Sequence, residues 1–163
     1  MLDIHILNYK PNPIFWAQCI ASVETAINNA DYPINLHVTK GYPDFGKARA
    51  EGFSSGGYPY VTYVDNDDYV LPDAFQILKP ALEQKPDALF TRELQLCLDG
   101  QLRTITPGRH HLQVYNRKVL IDHQKAGQLC DLQQLRSVDN KRCIDLPDQV
   151  YVWRTNPNSM RAK

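Results

Sequence analysis

Asp65-Asn66-Asp67-Asp68 places three carboxylates within four residues, directly after the β-branched and aromatic run Tyr60-Val61-Thr62-Tyr63-Val64. Adjacent negative charges repel one another, a cost that a cation or a helix N-terminus offsets. On an extended segment residues two apart face the same way, so Asp65 and Asp67 would converge on one ion. Oxygen donors of this kind suit Mg²⁺ or Mn²⁺, which keep positions open for phosphate oxygens. The plainer alternative is that Asp67 or Asp68 caps a helix near Pro72. A calcium EF loop does not fit, because Tyr69 and Val70 stand where that loop needs a ligand and a glycine. An aspartyl-phosphate phosphatase would carry its Asp pair after the first strand, and here the pair follows the third.

The elements that must position these acids are readable along the first half. Leu2 to Asn8 alternates as Leu2, Ile4, Ile6, with Leu7 added, and reads as a mostly buried strand. Asn12-Pro13 supplies a helix cap followed by proline in the first turn. Trp16, Ile20, Val23 and Ile27 then fall on one helical face. Ile34 to Thr39 is a second strand, Gly41 to Gly46 a loop, and Lys47 to Phe53 a short helix ended by Ser54-Ser55-Gly56-Gly57. Tyr60 to Val64 is the third strand. A helix opening at Pro72 carries Phe75, Leu78 and Leu82 on one side, and Pro80 is expected to shorten or kink it. Strands alternating with helices predict an α/β sheet with parallel strands. Ligands bind such sheets beyond the carboxyl ends of the strands, where Asp65 to Asp68 lie.

The second half changes style. Leu94 to Leu98 and Leu102 to Ile105 flank Asp99-Gly100-Gln101, a hairpin signal. Arg117 to Ala126 and Leu132 to Val138 are amphipathic, and Val150 to Arg154 is a last short strand. This region is read as laid against the sheet rather than as a second domain.

The formal net charge is zero, but it is unevenly spread. Residues 1–91 hold 6 Lys+Arg against 11 Asp+Glu, and residues 92–163 hold 12 against 7. With 43% hydrophobic residues in 163, the chain is not a disordered acidic or basic tail. No window approaches the ~20 apolar residues that cross a bilayer, and an N-terminus bearing Asp3 is not read as a secretory signal. Cys19, Cys97, Cys130 and Cys143 form no C-x-x-C pair, so they are read as reduced and packed, in a cytoplasmic protein. His110-His111 is read as a solvated loop, since adjacent residues seldom point at one ion, and Trp16 and Trp153 as core.

Three stretches together resemble family-2 glycosyltransferases of the GT-A fold. They are Gly46-Lys-Ala-Arg-Ala-Glu-Gly52, then Ser55-Gly-Gly-Tyr-Pro-Tyr-Val-Thr-Tyr-Val-Asp-Asn-Asp-Asp68, then Leu71-Pro-Asp-Ala-Phe75. Ile6-Leu-Asn-Tyr9 is similar to the end of that family's first strand, and Leu146-Pro-Asp-Gln-Val-Tyr-Val-Trp-Arg154 to its closing segment. The matches span almost the whole chain. The resemblance implies a GT-A-like mixed sheet flanked by helices in one compact domain, with residues 1–91 as the nucleotide-sugar and metal half and 92–163 as the acceptor half. Asp65 and Asp67 would match the D-x-D that holds Mn²⁺ or Mg²⁺ on the donor diphosphate. Asp68 would orient the donor sugar or cap the next helix, and Arg49 would bind the nucleotide or order the loop carrying it. Asn8 and Tyr9 would line the base and ribose pocket, and Arg154 would lie near the pyrophosphate. Asp131 stands where many members carry an acidic pair at a helix start, and is the candidate catalytic base.

The function so implied is metal-dependent transfer of a sugar from a nucleoside-diphosphate sugar to an acceptor hydroxyl, with inversion inherited from the resemblance. The chain departs from the family after strand two, where Val38-Thr39-Lys40-Gly41 carries no acid, and at Ala50 and Asn156. Those departures motivate the alternative of a non-catalytic descendant that binds a nucleotide sugar or glycan. A third alternative is another metal-dependent enzyme acting on a nucleotide or phosphate. Arg103, Arg109, Arg117, Lys118, Arg136, Lys141 and Arg142 make the second half basic, and polyanions bind such surfaces by counterion release. A hydroxylated base in DNA, as some phage enzymes glucosylate in the host cytoplasm, is therefore one acceptor to test beside a glycan or small molecule.

Overall fold

Leu2, Ile4 and Ile6 do alternate into a core. The computed structural model describes residues 1–40, 45–105, 112–120 and 142–155, and in it β1 (Leu2–Asn8) is buried along all but its last residue. Helix α1 (Pro13–Asn28) begins where predicted. The Asn12 side-chain oxygen accepts from the amides of Ile14 and Phe15 at 3.0 and 3.3 Å, and Pro13 occupies the first turn, where no amide partner is needed. Then come β2 (Ile34–Lys40), α2 (Phe45–Ser54), β3 (Tyr60–Val64), β4 (Tyr69–Val70) and α3 (Ala74–Glu83). Strands β5 (Ala88–Leu96), β6 (Leu102–Thr104), β7 (Val114–Asn116) and β8 (Cys143–Arg154) complete the order.

The strands form one mixed sheet in the order β2-β1-β3-β7-β5-β8-β4, with β6 paired to β5. β1 is parallel to both β2 and β3, as the alternation of strands and helices predicted. The rest is not uniformly parallel. β7 runs antiparallel to β3 and β5, β8 is parallel to β5, and β4 is antiparallel to β8. Strands from both halves of the sequence thus alternate within one sheet. Side chains of β3 show the two faces: Tyr60 and Val64 join Leu2, Ile4, Ile6 and the buried sides of α1 and α3, while Val61 and Tyr63 pack with Phe53 of α2, Phe90 and Tyr115.

Helix α3 passes through Pro80 and ends three residues beyond it, at Glu83, with Phe75, Leu78, Ala81 and Leu82 buried on one face. The last strand is twelve residues, not five, because its first part passes through Pro147 at a bulge. Proline cannot donate to a ladder, and the register against β5 shifts there, between Phe90 and Arg92 and again before Glu93. The hairpin at Asp99-Gly100 is present, with Gly100 at φ +78°. Residues 117–120 are helical, whereas the rest of the two amphipathic stretches, and His110-His111, lie outside the described residues. Of the four cysteines, Cys19 is a buried free thiol, Cys97 and Cys143 are half-buried free thiols, and Cys130 lies outside the described residues.

On the α2 face the sheet carries polar residues in its interior. Asp3 is fully buried and accepts from Arg117 Nη2 at 2.6 Å, His37 Nε2 at 2.9 Å and the Tyr58 amide at 2.8 Å. Arg117 also donates to the carbonyls of Tyr58, Ser55 and Phe53. His5, also buried, stacks edge-on against Phe53 with ring centroids 4.7 Å apart. Burial, and then the charge of Arg49, push its imidazole down to about 3, so the ring is neutral. Gly52 exists to clear this ring: a Cβ there would sit 2.5 Å from His5 Cδ2. Gly52→Ala is therefore expected to cost about 1–3 kcal/mol by overpacking, read as a lower urea midpoint at unchanged slope.

Candidate active site at the carboxyl edge of the sheet

The three parallel strands end together. Register pairs Asn8 with Lys40 and Ile6 with Val64, so the loop after β1 and the acids after β3 emerge at one edge. β4 brings in the far side of the sheet: Tyr69 pairs with Val152, setting Asp68 beside Arg154.

Asp65 to Asp68 is not an extended segment. The Asp68 amide donates to the Asp65 carbonyl at 3.1 Å, closing a β-turn with Asn66 and Asp67 at its corners. Asp65 and Asp67 are therefore not two-apart positions of a strand but the first and third residues of a turn. Nor does the turn cap α3. That helix starts at Ala74, and Asp73 at its cap position makes no side-chain cap bond.

Each acid is held differently. Arg49 on α2 donates from Nη2 to Asp65 Oδ1 at 2.8 Å, while its guanidinium lies 3.4 Å from the centroid of the Tyr63 ring. Phe53, one helical turn on, packs against that same tyrosine. The Arg49 side chain is 10% exposed and that of Asp65 36%, so the cation is buried under a carboxylate that reaches solvent. Asp67 is half-buried, and its carbonyl accepts from Arg154 Nε at 2.8 Å. Asp68 is buried and serves the interior. Its Oδ2 accepts from the Tyr151 hydroxyl at 2.8 Å and its Oδ1 from the Arg154 amide at 2.7 Å. Burial, and then the charge of Asp65, push the Asp68 carboxyl above the ordinary range, against the pull of those bonds.

The remaining predicted residues line the same edge. Asn8 is exposed and Tyr9 half-buried, and the Asn66 side chain donates to the carbonyls of Leu7 and Tyr9, tying the two loops together. Arg154 donates from Nη2 to Gln18 Oε1 at 2.8 Å and lies 4.2 Å from the Phe15 ring centroid, beside the first turns of α1. Cys19 Sγ approaches the Asp65 carbonyl at 3.4 Å; burial and the nearby Asp68, Asp65 and Asp67 charges push its thiol up to about 12, an inert packed cysteine. Asp131 lies outside the described residues.

Among the described residues no group of three His, Cys, Asp or Glu is assembled as a metal cage. Among the described residues at this edge, Asp65 and Asp67 are the ones that could hold a hard cation taking its other ligands from phosphate and water. Sequence reasoning missed Tyr151, Tyr63 and Asn66. Tyr151 had a weak signal, since it shares a strand face with Trp153, but its partner lies 83 positions away.

No protein-family model matches the chain, and no curated protein matches it. Solved structures do. S. aureus TarS 1–349 in complex with UDP is similar with a TM-score of 0.69 and 14% identity, over 96% of this chain and 61% of that one. The same fragment in complex with UDP-GlcNAc gives 0.71 and 13%, over 99% and 60%. The bifunctional IspDF from Campylobacter jejuni gives 0.61 and 10%, over 91% and 50%. The chain thus spans about three fifths of the TarS fragment. At such identities the likeness is one of fold, and the fold is GT-A-like: a mixed sheet flanked by helices in a single compact domain.

Proposed function

We propose that this chain is a metal-dependent glycosyltransferase that moves a sugar from a nucleoside-diphosphate sugar to an acceptor hydroxyl. The observation that carries the proposal is the acidic turn itself, with Asp65 held by a buried arginine at the edge where Asn8 and Tyr9 also emerge. Support comes from similar structures crystallised with UDP and with UDP-GlcNAc.

In this reading Asp65 and Asp67 would hold Mn²⁺ or Mg²⁺, which would supply positive charge to offset that of the leaving diphosphate. Arg49 fixes the Asp65 carboxylate before donor arrives, and Arg154 fixes the backbone of Asp67 while keeping a positive charge beside α1. Asn8 and Tyr9 contact base and ribose. Asp68 holds the turn to β8 from inside. Asp131 takes the proton of the acceptor hydroxyl as its oxygen attacks the anomeric carbon and the diphosphate leaves, a single inverting displacement.

With a panel of nucleotide sugars, Mn²⁺ and no acceptor, the protein is expected to release sugar slowly, and EDTA to abolish the release. Saturable donor binding without release would favour a non-catalytic descendant, and absence of both would overturn the proposal. The acceptor proposal draws on the basic second half, from which Arg117 drops out because it is committed to Asp3, and Arg103 pairs with Asp99 at 3.0 Å. Duplex DNA carrying a hydroxylated base remains the polyanionic acceptor to test; undetectable binding at low salt would remove it.

A further inference from the structure

Tyr151 is fully buried in β8, between Val70 of β4 and Glu93 of β5. A buried tyrosine needs one partner for its hydroxyl. This one has two, at opposite ends of the acidic turn: it accepts from the Asp65 amide at 3.2 Å and donates to Asp68 Oδ2 at 2.8 Å. The amide can only donate, so the hydroxyl accepts from Asp65 and keeps its single hydrogen for Asp68 Oδ2. Three residues on, Arg154 repeats the pattern, with its amide on Asp68 Oδ1 and its Nε on the Asp67 carbonyl. Four hydrogen bonds from two residues of β8 therefore hold three of the four residues of the turn.

We infer that the Tyr151 hydroxyl is a positioning group for the donor site, locking the Asp65–Asp68 turn to β8 so that the carboxylates of Asp65 and Asp67 are presented in one arrangement. The inference rests on reading that turn as the cation and donor site. It goes beyond packing because the ring would fill its place equally well without the oxygen, whereas it is the oxygen that ties both ends of the turn to the Tyr151 side chain.

Tyr151→Phe removes only that oxygen. Tyr32→Phe is the control, since the Tyr32 hydroxyl also makes a half-buried bond, to the Phe75 carbonyl at 2.9 Å, on a residue outside the turn. Two quantities are measured on the full chain: Mn²⁺ affinity in the presence of a nucleoside diphosphate, and amide hydrogen exchange at Asp65 and Arg154. Loss of an outer partner of a metal ligand typically costs 10–100-fold in affinity. Tyr151→Phe is expected to weaken Mn²⁺ by that factor and to speed exchange at Asp65 at least tenfold, with Tyr32→Phe within twofold of wild type on both. Mn²⁺ affinity within twofold of wild type in Tyr151→Phe would overturn the inference. If the wild-type chain binds no Mn²⁺, the donor-site reading fails; the exchange rates then decide Tyr151 alone, faster exchange at Asp65 keeping it as the lock of the turn and unchanged exchange overturning it.

Discussion

Asp3→Asn is expected to destabilise the protein by about 3–5 kcal/mol, because it leaves the mostly buried guanidinium of Arg117 without its counter-charge. For a chain of this size that corresponds to a fall of roughly 6–20 °C in melting temperature. The asparagine keeps the shape of the site but cannot balance a cation whose side chain is only 13% exposed. Two further measurements separate this from a simple packing defect. In a double-mutant cycle with Arg117→Met, the second change should cost much less in the Asp3→Asn background than alone. The pH dependence has a definite sign. Burial pushes the Asp3 carboxyl up, but the bonds from His37 and the Tyr58 amide, the charge of Arg117 and the Asn35 contact outweigh it, so the folded value lies below the ordinary 3.8. A depressed carboxylate stabilises the fold above its unfolded value and loses that contribution as pH falls through the folded one. The gap between wild type and Asp3→Asn should therefore be flat near neutrality and close below pH 3.8. An additive cycle, or a gap that widens in acid, would show that the pair is not what the buried arginine depends on.

That pair also revises how the charge of the chain is understood. An acidic first half and a basic second half suggest two working surfaces, but Asp3 and Arg117 are 114 positions apart and meet in the interior. Part of the polarity is internal complementarity. Sequence reading recovers what is local. β1 and β3 fall on the predicted residues because alternating β-branched and aromatic side chains are bounded by Asn, Pro and Gly signals. The α1 cap is read from Asn12-Pro13 for the same reason. β4 and β7, at two and three residues, are too short to carry any period. β8 is hidden by its own proline. The candidate site divides the same way. Arg49 and Asp65 lie in one stretch joined by a motif, whereas Tyr151 reaches Asp68 only because β8 is inserted between β5 and β4, an order no local pattern encodes.

Arg49→Met is expected to lower metal-dependent donor turnover by 100-fold or more while costing only about 2 kcal/mol of stability. The two effects differ because the residue does two things. Its guanidinium carbon lies over the Tyr63 ring, 3.4 Å from the centroid, a mostly buried cation–π contact worth about 2 kcal/mol, which methionine replaces only in part by dispersion. Its bond to Asp65 adds little to folding, since that carboxylate is 36% exposed and solvent screens it. For turnover the same bond is decisive in the proposed mechanism: it aims one of the two carboxylates assigned there to the cation, and misplacement by about 1 Å at a reacting centre can cost 100-fold. Arg49→Lys distinguishes geometry from charge. An ammonium keeps the positive charge but is a compact point on a flexible stem, without the rigid planar fork that lies over Tyr63 and presents a fixed donor to Asp65 Oδ1. Lysine should therefore recover less than a tenth of wild-type turnover. Near-complete recovery would mean that Arg49 merely relieves repulsion among Asp65, Asp67 and Asp68. Turnover of Arg49→Met within threefold of wild type would mean that the orientation of Asp65 does not limit the reaction. Measuring folding stability beside turnover keeps these readings apart, because it separates the loss of the contact with Tyr63 from the loss of the aim of the Asp65 carboxylate.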